Sequence, residues 1–213
     1  EFRRVPFRSR TPDGEQNTHK NWWECDTGIA YLIGTVDGWR APRVVQVFDL
    51  SNPSTPRRIR DFSLDGVQPD ASGPVPGGSG VHEVVPLGDR LYLSYGTSRN
   101  GVLQIVDRAR FLRGDPRAAV PLAPSPSGLR FPQIGRLDMP FFWGGHTACP
   151  LVDVELADYA PNRDQRTRDF VVLVSESVAN ECQEARHVVF FVDLADEAHP
   201  MPVSTFQVRE ADG

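Results

Sequence analysis

Lysine is almost missing from this chain: Lys20 is the one lysine, so nearly all of its 23 basic side chains are arginines. Nothing in the pattern of the sequence explains that bias. Cysteine is scarce too. Cys25, Cys149 and Cys182 lack the paired spacings of a disulfide framework or a zinc ribbon. They fit three free thiols, or one disulfide and a free thiol. No apolar run approaches the ~18 residues that a membrane-spanning helix needs. No leader-like segment is visible, but the chain opens at Glu1 rather than Met, so an upstream segment is expected to have been removed or to lie outside it. No glycine-rich phosphate loop, GxSxG elbow or kinase signature is present, and no HxH or HExxH spacing. The net charge of −5 argues against a nucleic-acid partner or an anionic membrane surface.

What the chain has in quantity is turn residues, 19 Pro and 18 Gly, alongside 39% hydrophobic content. That combination suits one large β domain of many short strands. The stretch Gly80–Asp107 shows the pattern most clearly. Leu91, Leu93 and Tyr95 alternate with a period of two, as on a pleated strand. Asn100-Gly101 separates that run from the next, and both residue types tolerate the positive φ of a tight hairpin.

The same meander recurs. A first unit spans residues 19–64, with strands at His19–Asp26, Gly28–Thr35, Val44–Phe48 and Arg57–Leu64. A second spans 82–138, with strands at His82–Pro86, Arg90–Tyr95, Gly101–Asp107 and Gln133–Asp138. The proline-rich segment before Gln133 argues against a packed helix beyond Arg113. A third unit spans 146–208, with strands at His146–Leu156, Phe170–Glu176, His187–Asp193 and Pro202–Val208. Residues Glu1–Ser9 read as the last strand of a preceding unit.

The register is set by three recurrences. His82 lies 63 residues after His19, and His146 lies 64 after His82. Each third strand closes on aspartate, in VQVFD at Asp49, LQIVD at Asp107 and VFFVD at Asp193. Pro56 and Pro200 each follow such an aspartate by seven residues. Four antiparallel strands per repeat is the pattern of a β-propeller blade. The predicted fold is therefore all-β, a β-propeller fragment of about three four-stranded antiparallel blades, with residues 1–213 forming part of one propeller. Three blades do not close a ring, since propellers carry about four to eight. The remainder of the propeller or a second copy of the chain is the expected partner that completes it.

The stretch VVQVFDLSNPSTP (Val44–Pro56), with weaker copies at Leu103–Asp107 and Val189–Pro200, resembles the LVIVD repeat of bacterial propeller proteins, many of them secreted or surface-anchored. The resemblance covers all three units and implies a propeller in the periplasm or outside the cell. A fainter resemblance, carried by GVHE (Gly80–Glu83) and GGHTACP (Gly144–Pro150), is to the selenium-binding protein and methanethiol oxidase propellers. It implies metal-binding histidines near the channel.

His19, His82 and His146 each open a predicted innermost strand, so they should converge on one mouth of the central channel. Neutral imidazole is a favoured ligand for Cu, Zn and Fe, and three His with an open position is a catalytic arrangement. Glu83, Glu24 and Asp26 can supply a carboxylate ligand, a hydrogen-bond acceptor or a general base; Glu83 is the catalytic candidate. Two other roles fit the histidines: capping a neighbouring blade's backbone, and acid–base work without a metal. Trp39 and Trp143 sit beside glycines in loops and are candidates to line a ligand pocket. Trp22 or Trp23 is expected to pack between blades, and Phe141 and Phe142 lie on the loop before His146. Arg40 and Arg43 can grip an anionic ligand in bidentate fashion. Alternation places Cys149 on the face away from His146 and Ala148, and Glu176–Glu184 reads as a solvated acidic loop.

Two functions from different classes fit. One is a propeller whose histidine-lined mouth binds a transition metal and acts as an oxidoreductase or hydrolase. The other is a non-enzymatic propeller that binds a protein or glycan through its loops. Three imidazoles converging within one coordination sphere would favour the first.

Overall fold

The computed structural model describes residues 19–97, 99–113, 132–159, 166–176 and 188–207. The expected strand over Glu1–Ser9, Cys182 and His187 lie outside the described residues. Strands β1 (His19–Glu24), β2 (Ile29–Gly34), β3 (Val44–Asp49) and β4 (Arg57–Phe62) pair in that order as the first sheet. Strands β5 (Val81–Leu87), β6 (Arg90–Tyr95), β7 (Val102–Asp107) and β8 (Gln133–Asp138) form the second. The third contains β9 (Thr147–Glu155), β10 (Thr167–Val174), β11 (Val189–Asp193) and β12 (Met201–Phe206). Every neighbouring pair is antiparallel. Among the described residues the architecture is thus an all-β array of three four-stranded meanders, with one short helix, α1 (Arg108–Arg113).

Turn chemistry holds each meander in register. Asn100 takes φ +49° at the β6–β7 turn, and Gly88 takes φ +57° between β5 and β6. The recurring aspartate at the end of each third strand is structural. Asp49 accepts the Ser51 N–H at 2.9 Å and Asp193 accepts the Ala195 N–H at 2.7 Å, the local turn that Asp favours. Asp107 instead accepts the Arg110 N–H at 2.8 Å and starts α1, as an N-cap does.

The sheets pack face to face, and the middle one shows why the array stacks. Along β6, Leu91, Leu93 and Tyr95 join a core with Tyr31, Ile33, Val45, Val47 and Phe62 of the first blade. On the opposite face, Tyr92, Leu103 and Ile105 join Val171, Leu173, Phe190 and Val192 of the third. Both faces of the middle blade are therefore covered, as stacked repeats require. The outer face of the third blade differs. There Cys149, Val172 and Phe191 stand directly opposite one another across β9, β10 and β11; Cys149 is exposed, and Val172 and Phe191 are only part-buried. The outer face of the first blade is mixed, with Leu32 and Phe48 beside Gln46 and Asp61. The three sheets do not close into a ring. Among the described residues no helix is long and apolar enough to cross a membrane.

A charged clamp ties the first blade to the second at the far ends of β1 and β5. The Arg108 guanidinium grips both oxygens of Glu24, with Nε at 2.9 Å from Oε1. Tyr31 donates its hydroxyl to the same carboxylate at 2.8 Å and Thr27 at 2.6 Å. Burial alone would raise the Glu24 pKa, but these hydrogen bonds outweigh it and hold the carboxyl below its ordinary range. Replacing Arg108 with Met should cost about 2–3 kcal/mol at neutral pH, because the Glu24 side chain, only 9% exposed, keeps its charge and loses its partner. Denaturant unfolding checks this. Because the folded carboxyl pKa is depressed, the deficit should shrink once pH falls through it.

Candidate functional site

In an antiparallel meander, the start of the first strand, the end of the second and the start of the third lie at one end of the blade. Here that end carries His19, His82 and His146. His19 Nε2 lies 2.7 Å from His82 Nε2, and the two rings meet edge to face with centroids 4.5 Å apart. The His82 and His146 rings lie 3.8 Å apart between centroids. The three imidazoles converge as their spacing in the sequence predicts.

Local irregularities deliver them. In β1, His19 pairs with Ile33 and Trp22 with Tyr31, so two residues face one and Lys20 adopts φ +33°. In β5, Val81 pairs with Tyr95 and Glu83 with Ser94, which leaves His82 as the extra residue. Such β-bulges re-aim side chains beside functional sites. His146 is placed by Gly144 and Gly145. A Cβ on Gly144 would stand 1.9 Å from the Thr97 carbonyl oxygen, and one on Gly145 2.7 Å from that of Tyr95. Only glycine lets this segment lie so close against the second blade. Gly145 N–H then donates to Gly96 O at 2.7 Å, and Ser94 Oγ donates to His146 O at 2.8 Å.

The sequence reading missed Glu176, placing it in a solvated loop. It directly follows Ser175 at the end of the second strand of its blade, hence at the mouth. Its N–H donates to Thr97 O at 2.9 Å, and its carboxylate lies 3.7 Å from His146 Nε2. The antiparallel topology was the signal that could have found it. His82, His146 and Glu176 offer ligand atoms within 4.8 Å of one another, a group able to hold a metal ion. Ligands about 2.0–2.2 Å from one ion lie at most about 4.4 Å apart, so small side-chain rotations suffice. His19 stands outside that group as a hydrogen-bond neighbour of His82. Two polar atoms at the mouth are buried without a hydrogen-bond partner, His82 Nδ1 and Glu83 Oε2. Buried polar groups are rarely left so; His82 belongs to the metal-capable group, and Glu83 does not. The residues present therefore fit a metal ion.

The electrostatics agree. Burial, followed by the neighbouring His146 and His19, pushes His82 down to about 3. Burial, then the positive charges of Arg43 and Lys20, lowers His19; burial likewise lowers His146, against the pull of Glu176. In all three the shift favours the neutral imidazole, the form that binds metals.

The other expected site residues lie elsewhere in the structure. Arg40 donates to three backbone carbonyls, Gly66 at 3.3 Å, Ala71 at 2.9 Å and Gly73 at 2.5 Å. It ties down the loop after β4. Trp39 packs against Ala41, Val44 and Val67 in a small apolar cluster. Trp143 packs edge to face on Phe190, with centroids 5.2 Å apart. Arg40 and Trp39 hold loops in place, while Trp143 lines a depression with Met139, Phe190 and Pro202 that includes none of the three histidines. Phe141 and Phe142 are more than half exposed, and Arg99 lies over the Phe141 ring. Trp22 and Trp23 are 37% and 47% exposed, not sealed between blades. Cys25 and Cys149 are free, exposed thiols.

No protein-family model matches the chain, and no curated protein matches it either.

Proposed function

We propose that the mouth of this β array is a metal centre, with His82, His146 and Glu176 as ligands, His19 hydrogen-bonded to His82 and Glu83 as the proton-transferring group. The observation that carries this reading is the pairing of two neutral, closely apposed imidazoles with a carboxylate beside two unpartnered buried polar atoms. Two nitrogens and one oxygen form a donor set that suits Zn, Cu or Fe. Bound there, such an ion supplies Lewis-acid or redox chemistry, the basis of a hydrolase or an oxidoreductase. Glu83 follows the bulge at His82 and its charge acts on His19 and His146, so its carboxylate is close enough to the mouth to hold or pass a proton there.

The same proposal places the chain among the LVIVD-repeat propellers, outside the cytoplasm, on the strength of its VQVFD, LQIVD and VFFVD strand ends. It also assigns the cover of the open blade faces to further blades, from a longer chain or a second copy. The exposed Phe141–Phe142 pair on the loop before His146 favours a second reading, in which the rim binds a protein or glycan without chemistry.

Zinc titration of the metal-free protein tests the first reading. One ion per chain is expected. Because the imidazole pKa values are depressed, protons compete poorly, and binding should persist as pH falls below the ordinary histidine value of about 6.5. Half-loss at or above that pH, or no uptake at all, would overturn it.

A further inference from the structure

We propose that the mouth accepts a small oxyanion-bearing ligand, a carboxylate or phosphate compound, gripped by the Arg43 guanidinium beside the His82–His146–Glu176 group. The inference deepens the metal-centre reading and rests on it for the second half of the ligand's grip.

Two arginines three residues apart behave oppositely. Arg40 is consumed by loop carbonyls. Arg43 is part-buried, yet its guanidinium makes no hydrogen bond or ion pair among the described residues. Its place is fixed by the fold: it directly precedes β3, at the mouth end of the blade, and its carbonyl accepts the Val81 N–H at 3.2 Å. Val81 is the residue before His82. The Arg43 charge acts on His19, His82 and Glu176, so the guanidinium lies within electrostatic reach of the proposed ligands. A planar fork of donors left unused beside the histidines matches the bidentate geometry of a carboxylate or phosphate.

Charge balance points the same way. Arg43 and Lys20, the one lysine of the chain, stand against Glu83 and Glu176. Their charges cancel, so a divalent ion leaves the mouth doubly positive and in need of an anion. The substrate class that fits is therefore a small acid, its oxyanion on Arg43 and its reactive part toward the metal position.

The test is calorimetric titration of acetate and of inorganic phosphate into the protein, with and without bound zinc. Wild type is compared with Arg43→Gln and Arg43→Lys, and acetamide serves as the neutral control. Tighter acetate than phosphate binding identifies a carboxylate ligand; the reverse identifies a phosphate. Arg43→Gln should weaken the preferred anion at least tenfold, and Arg43→Lys less. Zinc affinity should be unchanged or improved, since a positive charge has gone. A merely structural Arg43 would lower both affinities together. Anion affinity equal in wild type and Arg43→Gln, or no anion binding in either zinc state, overturns the inference even where zinc binds. Failure of zinc uptake overturns the metal reading instead, and leaves an Arg43-dependent difference measurable in the zinc-free arm.

Discussion

Replacing His82 with alanine is expected to abolish tight metal binding while leaving the fold intact. His82 is 1% exposed and stands between the other two imidazoles, with centroids 4.5 Å from His19 and 3.8 Å from His146. Removing it leaves one imidazole and one carboxylate, His146 and Glu176, too few for a stable site. The affinity loss should exceed the roughly 10–100-fold typical of losing a supporting group around a metal. Stability should change little. His82 carries a buried nitrogen without a partner, so its truncation removes an unfavourable burial along with some packing. The sheet ladders and the two inter-blade cores stay in place. His199→Ala is the control, because His199 is exposed and pairs with Asp196 on an outer turn. Equal loss of metal in both variants would place the ion elsewhere.

Phe111→Ala should destabilise the fold severely, by about 3–5 kcal/mol. Phe111 is fully buried although it sits on a six-residue helix on the connection between β7 and β8. Its ring meets Phe62 edge to face at 4.9 Å, lies 6.4 Å from Tyr31, and carries the Arg60 guanidinium at 5.3 Å. It fills the space where the first and second blades converge. Alanine would leave a cavity bounded by β strands whose pairing prevents collapse. For a chain of this size that cost corresponds to a thermal midpoint lower by on the order of 10 °C. Phe142→Ala, which truncates an exposed ring, should cost far less.

Much of this architecture is legible in the sequence because it rests on local rules. Strand positions follow from the two-residue period of runs such as Leu91–Tyr95 and from turn residues such as Asn100. The convergence of His19, His82 and His146 follows from equal phase in successive repeats, whatever their distance along the chain. Glu176 was hidden because a carboxylate after a strand looks the same in a solvated loop as in a site; only the pairing of β10 with β9 brings it to His146. The bulges at Lys20 and His82 leave no compositional mark, since they depend on which residues pair across the sheet. Arg40 and Arg43 are equally basic in the sequence. Their difference comes from the loop carbonyls of Gly66, Ala71 and Gly73, a tertiary contact. The helix of Phe111 is too short to show a helical period, and its apolar residue reads equally well as part of a loop.

The central claim is that imidazoles of this mouth, with a carboxylate, hold a transition metal. X-ray absorption of the zinc-loaded whole protein tests it most directly. The account predicts a first shell of nitrogen and oxygen at about 2.0–2.1 Å, with outer-shell scattering from two imidazole rings that disappears in the His82→Ala variant. A sulfur shell at about 2.3 Å, implicating Cys25 or Cys149, or an oxygen-only shell without imidazole scattering, would contradict it.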